Sequence, residues 1–246
     1  MRYKIILEYN GAGLIGFQKN RHGDSVQSLV EEAVFKFSGQ TVEVVPCGRT
    51  DAGVHALAMP AHFDLMNNEK LTMNNEVIKR ALNFYLTDFP VSVVSCEEVA
   101  DDWHARFGCK MRRYKYVIAN QDFPPVLDGD FAWWVPQPLN VGAMRDAAAR
   151  LLGEHDFSSF RAAECQAKSP VKTLDEARIT NHESRITIEF CARSFLYHQV
   201  RNMVGTLVEI GRGKPIDIDA VFDVRNRSAA GPTAPACGLF FVSADY

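Results

Sequence analysis

The chain has six cysteines (Cys47, Cys96, Cys109, Cys165, Cys191 and Cys237) but no C-x-x-C pair. Zinc-type ligand spacing is therefore absent, and scattered thiols fit a reducing compartment. It lacks any run of eighteen apolar residues, so a helical membrane span is not expected. It lacks a strong charge of either sign: the formal net charge is −3, which gives no global sign of a nucleic-acid partner. Low-complexity tracts and short-period repeats are absent too. The start, Met1-Arg2-Tyr3-Lys4-Ile5-Ile6-Leu7-Glu8, is basic like a leader peptide, but its apolar run is short and Glu8 interrupts it. It reads better as a first β-strand, and the protein as cytoplasmic. What remains is a globular chain. Its 246 residues suggest one large or two small domains, and 47% hydrophobic content supplies a substantial core.

The first hundred residues read β-α-β-β-α-β. Arg2 to Tyr9 is a strand. Asp24 and Gln27 form a capping-box pair, and Val26, Leu29, Val30, Ala33, Val34 and Phe37 follow at helical spacing. Strands are expected at Val42–Val45 and Val54–Leu65. A second helix starts near Asn74 and carries Val77, Ile78, Ala81, Leu82 and Tyr85. Val91 to Val99 closes the unit. This order is that of a ferredoxin-like or RRM-like split βαβ. The second half repeats the theme more loosely. Arg113–Ala119 and Phe131–Val135 read as strands. Asn140 caps a helix with Met144, Ala147, Ala148, Leu151 and Leu152, ended at Gly153. Ala177–Thr180 and Arg185–Phe195 form a hairpin turning at Asn181–Ser184. Val200, Met203, Val204, Leu207 and Val208 mark a helix ended at Gly211, and Ile218–Val224 a shorter one. Leu239–Ala244 is a terminal strand. The expected fold is α+β: two halves, residues 1–101 and 102–246, forming one extended, mostly antiparallel sheet. Its helices would cover one face and leave the other free as a cleft.

Charge is uneven locally. Between Trp103 and Gln121 lie Arg106, Lys110, Arg112, Arg113 and Lys115, with no acid, and Tyr114 and Tyr116 are interleaved. Cations neutralise phosphates and aromatic faces stack on unpaired bases. The same pattern also suits an edge strand with a solvated basic face.

One turn concentrates chemistry. Cys47-Gly48-Arg49-Thr50-Asp51-Ala52-Gly53-Val54-His55-Ala56 sits between two expected strands and presents Asp51, with Arg49 two residues earlier. In isolation an Asp in such a turn caps its own backbone. Arg201 is a second candidate. At about 100° per residue it lies near Val204 and Val208 in azimuth, while Asn202 points away. A guanidinium at a core edge needs a carboxylate or several carbonyls, or its head must reach water. His55, His62 and Asp64 could be read as a metal cluster, but their spacing is loose, and ordinary polar strand residues explain them better. An aspartyl-phosphate nucleophile at Asp51 would want a second Asp two residues on, where Gly53 stands.

The string GRTDAGVHA resembles the signature of the tRNA pseudouridine synthase A family. A second string, Ser194-Phe195-Leu196-Tyr197-His198-Gln199-Val200-Arg201-Asn202-Met203-Val204-Gly205, resembles another block of that family. A third resemblance covers Ala105-Arg106-Phe107 with Arg112-Arg113-Tyr114-Lys115-Tyr116, and a fourth covers Gly231–Ala236 with Gly238-Leu239. Matches run from Tyr3 to the end. The departures are Asn10 and Phe17, where an acid and a tryptophan are expected; neither is expected to touch the catalytic residues. The resemblance implies conversion of uridine to pseudouridine in the anticodon stem-loop (nucleotides 38–40) of tRNAs, without cofactor or metal. It implies Asp51 as the catalytic carboxylate, Arg201 as its ion-pair partner and Tyr114 as the ring that contacts the target base. Arg49, Arg106, Lys110, Arg112 and Arg113 would contact RNA in the cleft. The family also implies a homodimer. Tyr116, on the same strand face as Tyr114, could instead be a core residue. The competing class is a non-catalytic RNA-binding module of RRM-like fold, which would need the basic and aromatic residues but not Asp51 with Arg201.

Overall fold

The computed structural model describes residues 1–66 and 74–246. They divide into two compact units, Met1–Lys110 with Phe240–Tyr246, and Met111–Leu239. The C-terminal residues thus return to the first unit, which a division at residue 101 does not anticipate. Their anchors are specific. Lys110 donates its N–H to Asp245 O at 2.8 Å, and the Tyr246 hydroxyl donates to Ala105 O at 2.7 Å.

The first unit holds β1 (Arg2–Tyr9), α1 (Val26–Ser38), β2 (Val45–Pro46), β3 (His55–Asp64), α2 (Asn75–Leu86) and β4 (Val91–Val99). β1 pairs with β3 and β4, and β2 with β3, all antiparallel, which is the split βαβ order. Tyr3, Ile5, Leu7 and Tyr9 alternate as the buried set of β1, so one face of the sheet is the core face. α1 gives that core Val26, Leu29, Val30, Ala33 and Val34, and α2 gives Ile78, Leu82 and Leu86. Each of these Val, Leu and Ile side chains contributes about 1.5–3 kcal/mol of apolar burial.

Three details differ from the sequence reading. The α1 cap is Ser25, whose Oγ accepts from Ser28 N–H at 3.0 Å while Ser28 Oγ accepts from Ser25 N–H, so Asp24 and Gln27 are not the capping box. Val77 is 48% exposed; the inward stripe of α2 runs through Ile78, Leu82 and Leu86. β2 is two residues long, not the expected Val42–Val45. The β3 edge is shared: Val45 and Pro46 pair with His62 and Ala61, and Phe240 and Phe241 pair in parallel with His55 and Ala56.

The second unit holds β5 (Met111–Ala119), β6 (Trp133–Trp134), α3 (Val141–Ala149), β7 (Gly153–Asp156), β8 (Val171–Leu174), β9 (Glu176–His182), β10 (Arg185–Ala192), α4 (Gln199–Gly211) and α5 (Ile218–Val224). β5, β10 and β9 pair antiparallel in that order, and β6 runs parallel to β5 at Ile118 and Ala119. α3 packs on α4 and β9. Asn140 caps α3 through Oδ1, which accepts from Ala143 N–H at 3.0 Å. The β9–β10 hairpin turns on Glu183–Ser184, tighter than Asn181–Ser184, with Glu183 at φ 53°. A 3₁₀ turn at Gly129–Phe131 shortens the strand expected at Phe131–Val135 to Trp133–Trp134. Both units are α+β. Among the described residues no helix is long and apolar enough to cross a membrane.

Candidate active site

The first unit carries the Asp51 turn between β2 and β3, and its backbone is closed by Val54 N–H donating to Asp51 O at 3.1 Å. Asp51 is half-buried, Arg49 exposed and Thr50 buried. Thr50 is the anchor. Its hydroxyl shares a 2.8 Å hydrogen bond with the Tyr9 hydroxyl, and its carbonyl accepts from Phe17 N–H at 3.0 Å. Gly16 makes this approach possible: it sits at φ 103°, and a Cβ there would lie 2.7 Å from Thr50 O. Further along, Gly11 N–H donates to His55 Nδ1 at 3.0 Å, and the His55 ring stacks on Phe240 at 4.8 Å.

The segment between Asn10 and Asn20 is thus a wall of the turn, not a bystander. Phe17 is fully buried and meets Tyr9 edge-on at 6.3 Å. Its amide holds Thr50, the residue next to Asp51. The sequence marked Phe17 only as a departure in a loop. Its flanking glycine, Gly16, was the available signal of close packing.

Arg49 and Arg106 line one pocket of about 90 Å³ beside the turn. Lys110 is exposed. His62 and Asp64 serve other ends. Asp64 accepts from Arg2 Nε and Nη2, both at 2.8 Å, and this guanidinium holds its carboxyl below the usual range. His62 is buried; burial above all, then the Arg2 charge, pushes its imidazole down to about 4. It accepts from Ala105 N–H at 3.3 Å and hydrogen-bonds the Val45 backbone. Among the described residues no three His, Cys, Asp or Glu side chains are grouped to hold a metal ion.

The second unit carries Tyr114, Arg112 and Arg113 on β5 and Arg201 on α4. Tyr114 is half-buried and meets Phe195 edge-on at 5.1 Å. Tyr116 is the core member of the pair: it is fully buried, its hydroxyl donates to Pro235 O at 2.7 Å, and burial raises its pKa. Arg112 donates to Arg193 O. Arg113 is half-buried, opposite Cys191 across the ladder.

Arg201 is half-buried and fixed by the 231–235 loop. Its Nε donates to Ala234 O at 2.7 Å, and its own carbonyl accepts from Ala234 N–H at 3.1 Å. The loop lies directly on α4, where a Cβ on Gly205 would be 1.7 Å from Pro232 O. Asn202, turned away from the Arg201 line of the helix, does not reach solvent. It is fully buried, donates to Phe160 O at 2.8 Å, and accepts from Arg227 and the Thr233 hydroxyl. A single apolar stripe understates the burial of α4, which is covered on nearly every side. Arg227, which also donates to Gly231 O at 2.8 Å, was not singled out in the sequence; a lone Arg near a Gly-Pro loop gives little signal.

A model of the family described as tRNA pseudouridine synthase matches residues 147–246. The chain is 49% identical over 247 residues to tRNA pseudouridine synthase A of Rhodospirillum centenum, covering all of this chain and 99% of that protein. It is 48% identical over 249 residues to the protein of the same name from Ehrlichia ruminantium, and 46% to that of Ehrlichia chaffeensis, with complete coverage on both sides. With relatives this similar along their full length, the chain belongs to the tRNA pseudouridine synthase A family.

Proposed function

We propose that this protein isomerises uridine to pseudouridine in the anticodon stem-loop of tRNA, with Asp51 as the catalytic carboxylate. The observation that carries the reading is the Asp51 turn, a GRTDAGVHA string braced by Tyr9 and Phe17 at Thr50 and by Gly11 at His55. Such bracing supports a group that must be held at a reacting atom within a fraction of an ångström.

The reaction breaks the C1′–N1 bond and joins C1′ to C5 of the same ring. It is redox-neutral and keeps every atom, so it requires no cofactor. It requires an ionised carboxylate at the sugar, either attacking C1′ or removing the 2′ proton. Arg201 serves as the cation that keeps that carboxylate ionised and oriented. The target uridine leaves its stack. Arg49 fills the space it vacates or holds its phosphate, and Tyr114 stacks on the extruded uracil. Arg106, Lys110, Arg112 and Arg113 neutralise phosphates. The protein acts in the cytoplasm as a homodimer. The second reading, a binding module without catalysis, has the basic residues in its favour but leaves the braced carboxylate without a role. Incubating purified protein with unmodified tRNA and mapping pseudouridine decides between them: new pseudouridine in the anticodon stem-loop is expected, and tRNA binding without it would refute the enzyme.

A further inference from the structure

The string Ala105-Arg106-Phe107 leaves its last residue without a role in the reaction. Phe107 is 78% exposed, on a turn whose Ala105 and Cys109 are buried. A single exposed apolar side chain is ordinary. This one differs in its seat. Successive amides of the turn are all engaged: Ala105 N–H donates to His62 Nδ1 at 3.3 Å, Arg106 N–H and Phe107 N–H to His104 Nδ1 at 3.1 and 3.3 Å, and Gly108 N–H to His104 O at 2.9 Å. One side of the Phe107 ring rests on the His104 imidazole, with centroids 4.4 Å apart. His104 meets His62 at 4.8 Å, His62 meets Trp103 at 5.9 Å, and Trp103 meets Tyr246 at 4.8 Å. Phe107 is thus the exposed end of a row of rings rooted in the buried His62, and the Tyr246 hydroxyl ties that row back to the turn at Ala105 O. Burial above all, then the Arg2 and Arg106 charges, lowers the His104 pKa, so the supporting ring stays a neutral acceptor at neutral pH.

We infer that Phe107 is a stacking platform for an unpaired base of the tRNA, one other than the uridine at Asp51. This rests on the tRNA reading above and adds a base contact to it. Charge, place and size favour RNA over a protein partner. The neighbours Arg106 and Lys110 are exposed cations, and the acids nearest in sequence, Asp101 and Asp102, lie in the field of Arg2. Cations around an open ring hold a polyanion near while the ring takes the face of a base. Arg106 lines the same pocket as Arg49, so this turn stands beside the one that carries Asp51. A stable protein interface needs about 800 Å² per partner, and one aromatic ring supplies roughly 150–250 Å². One ring with one open side matches one base. Because it is already seated, it loses little rotamer freedom on binding. Every base has a π-face, so the platform selects for an unpaired base and not for its letter.

The test uses the full chain and unmodified tRNA. Phe107→Ala should weaken affinity about tenfold, and Phe107→Leu, apolar but without a ring face, nearly as much, whereas Phe107→Tyr should stay within about twofold of wild type. The slope of log affinity against log salt should be the same in all of them, because no phosphate contact is lost. A set of tRNAs, each with one abasic nucleotide at an unpaired position other than the target, locates the base. At one position wild type should lose about tenfold, and Phe107→Ala should lose nothing further. The platform is refuted if Phe107→Leu binds like wild type, if the salt slope falls in Phe107→Ala, or if the abasic losses add to that of Phe107→Ala at every position. It is refuted too if Phe107→Ala keeps full tRNA affinity but changes its sedimentation, which would put a second copy of the chain on the ring. Mapping pseudouridine on intact tRNA separates the two readings. A protein that shows the stacking pattern but forms none refutes the enzyme and keeps the platform, and one that forms it while Phe107→Ala binds like wild type refutes the platform alone.

Discussion

Replacing Arg201 by Lys keeps the charge and removes the geometry. In the native arrangement Nε donates to Ala234 O at 2.7 Å, which fixes the plane of the guanidinium fork. Lysine has one nitrogen at the tip of a flexible stem. It can reach toward Ala234 O or toward a carboxylate, not both. The lost charge-assisted bond is worth about 1.5–3 kcal/mol. If that bond orients the group that keeps Asp51 ionised, the loss falls on the barrier, and about 10- to 100-fold of turnover goes with it. Part of the loss will fall on stability, because Ala234 O loses its donor; a drop of a few degrees in Tm is expected for a chain of this size. The assay is single-turnover pseudouridine formation at saturating tRNA, with tRNA affinity measured at several salt concentrations. Turnover should fall while affinity and its salt slope hold. A Lys variant with near-normal turnover would refute the reasoning. Normal turnover with weaker, less salt-dependent binding in Arg201→Ala would reassign the residue to a phosphate.

Asp51→Asn should abolish turnover while tRNA still binds, since the amide keeps the shape but is neither nucleophile nor base; activity within about tenfold of wild type, roughly 1.4 kcal/mol of barrier, would rule out an essential carboxylate. Tyr114→Phe should retain more activity than Tyr114→Ala if stacking, worth roughly 1–3 kcal/mol, is its main role, whereas equal losses would shift that role to the hydroxyl. Full turnover is expected in EDTA once tRNA folding is controlled for; loss restored by one specific divalent ion would contradict it. His62 has a folded pKa of about 4, below its ordinary 6.5, so its contribution to stability is complete above about pH 6.5 and is lost as pH falls from there through 4. That amounts to about 2 kcal/mol by pH 5. Denaturant midpoints should therefore show the gap between wild type and His62→Asn narrowing from pH 7 to pH 5, and a constant gap would mean the ring titrates normally.

Much of this architecture is legible from side-chain period and caps. Asn140 and the Ile218–Val224 helix come out as read because their signals are local: an amide at an N-cap, an apolar stripe that ends with the helix. The misreadings share a cause. Asp24 and Ser25 are both good caps, and only backbone geometry selects Ser25. β7 and β8 pair with each other through short, largely polar or exposed segments that carry no alternation. The Asp51 turn was legible through a long contiguous motif. Its brace at Phe17 was not, because Phe17 acts through its backbone N–H, and backbone groups leave no letter in the sequence.

The first unit is discontinuous: its sheet is completed by Phe240–Tyr246, which follow Lys110 only after the whole of the second unit has been made. During synthesis the β3 edge beside the Asp51 turn must wait, with His55 lacking its Phe240 neighbour and Ala105 O lacking the Tyr246 hydroxyl. The entropy of closing so long a loop is met only once both ends exist. Until then an unpaired edge is open to other chains, a hazard for which chaperones exist. A ribosome that stalls anywhere before Phe240 releases a chain whose Asp51 motif is intact in letters but whose surrounding sheet is unfinished. Removing the last seven codons should therefore loosen the N-terminal unit, not merely trim a tail.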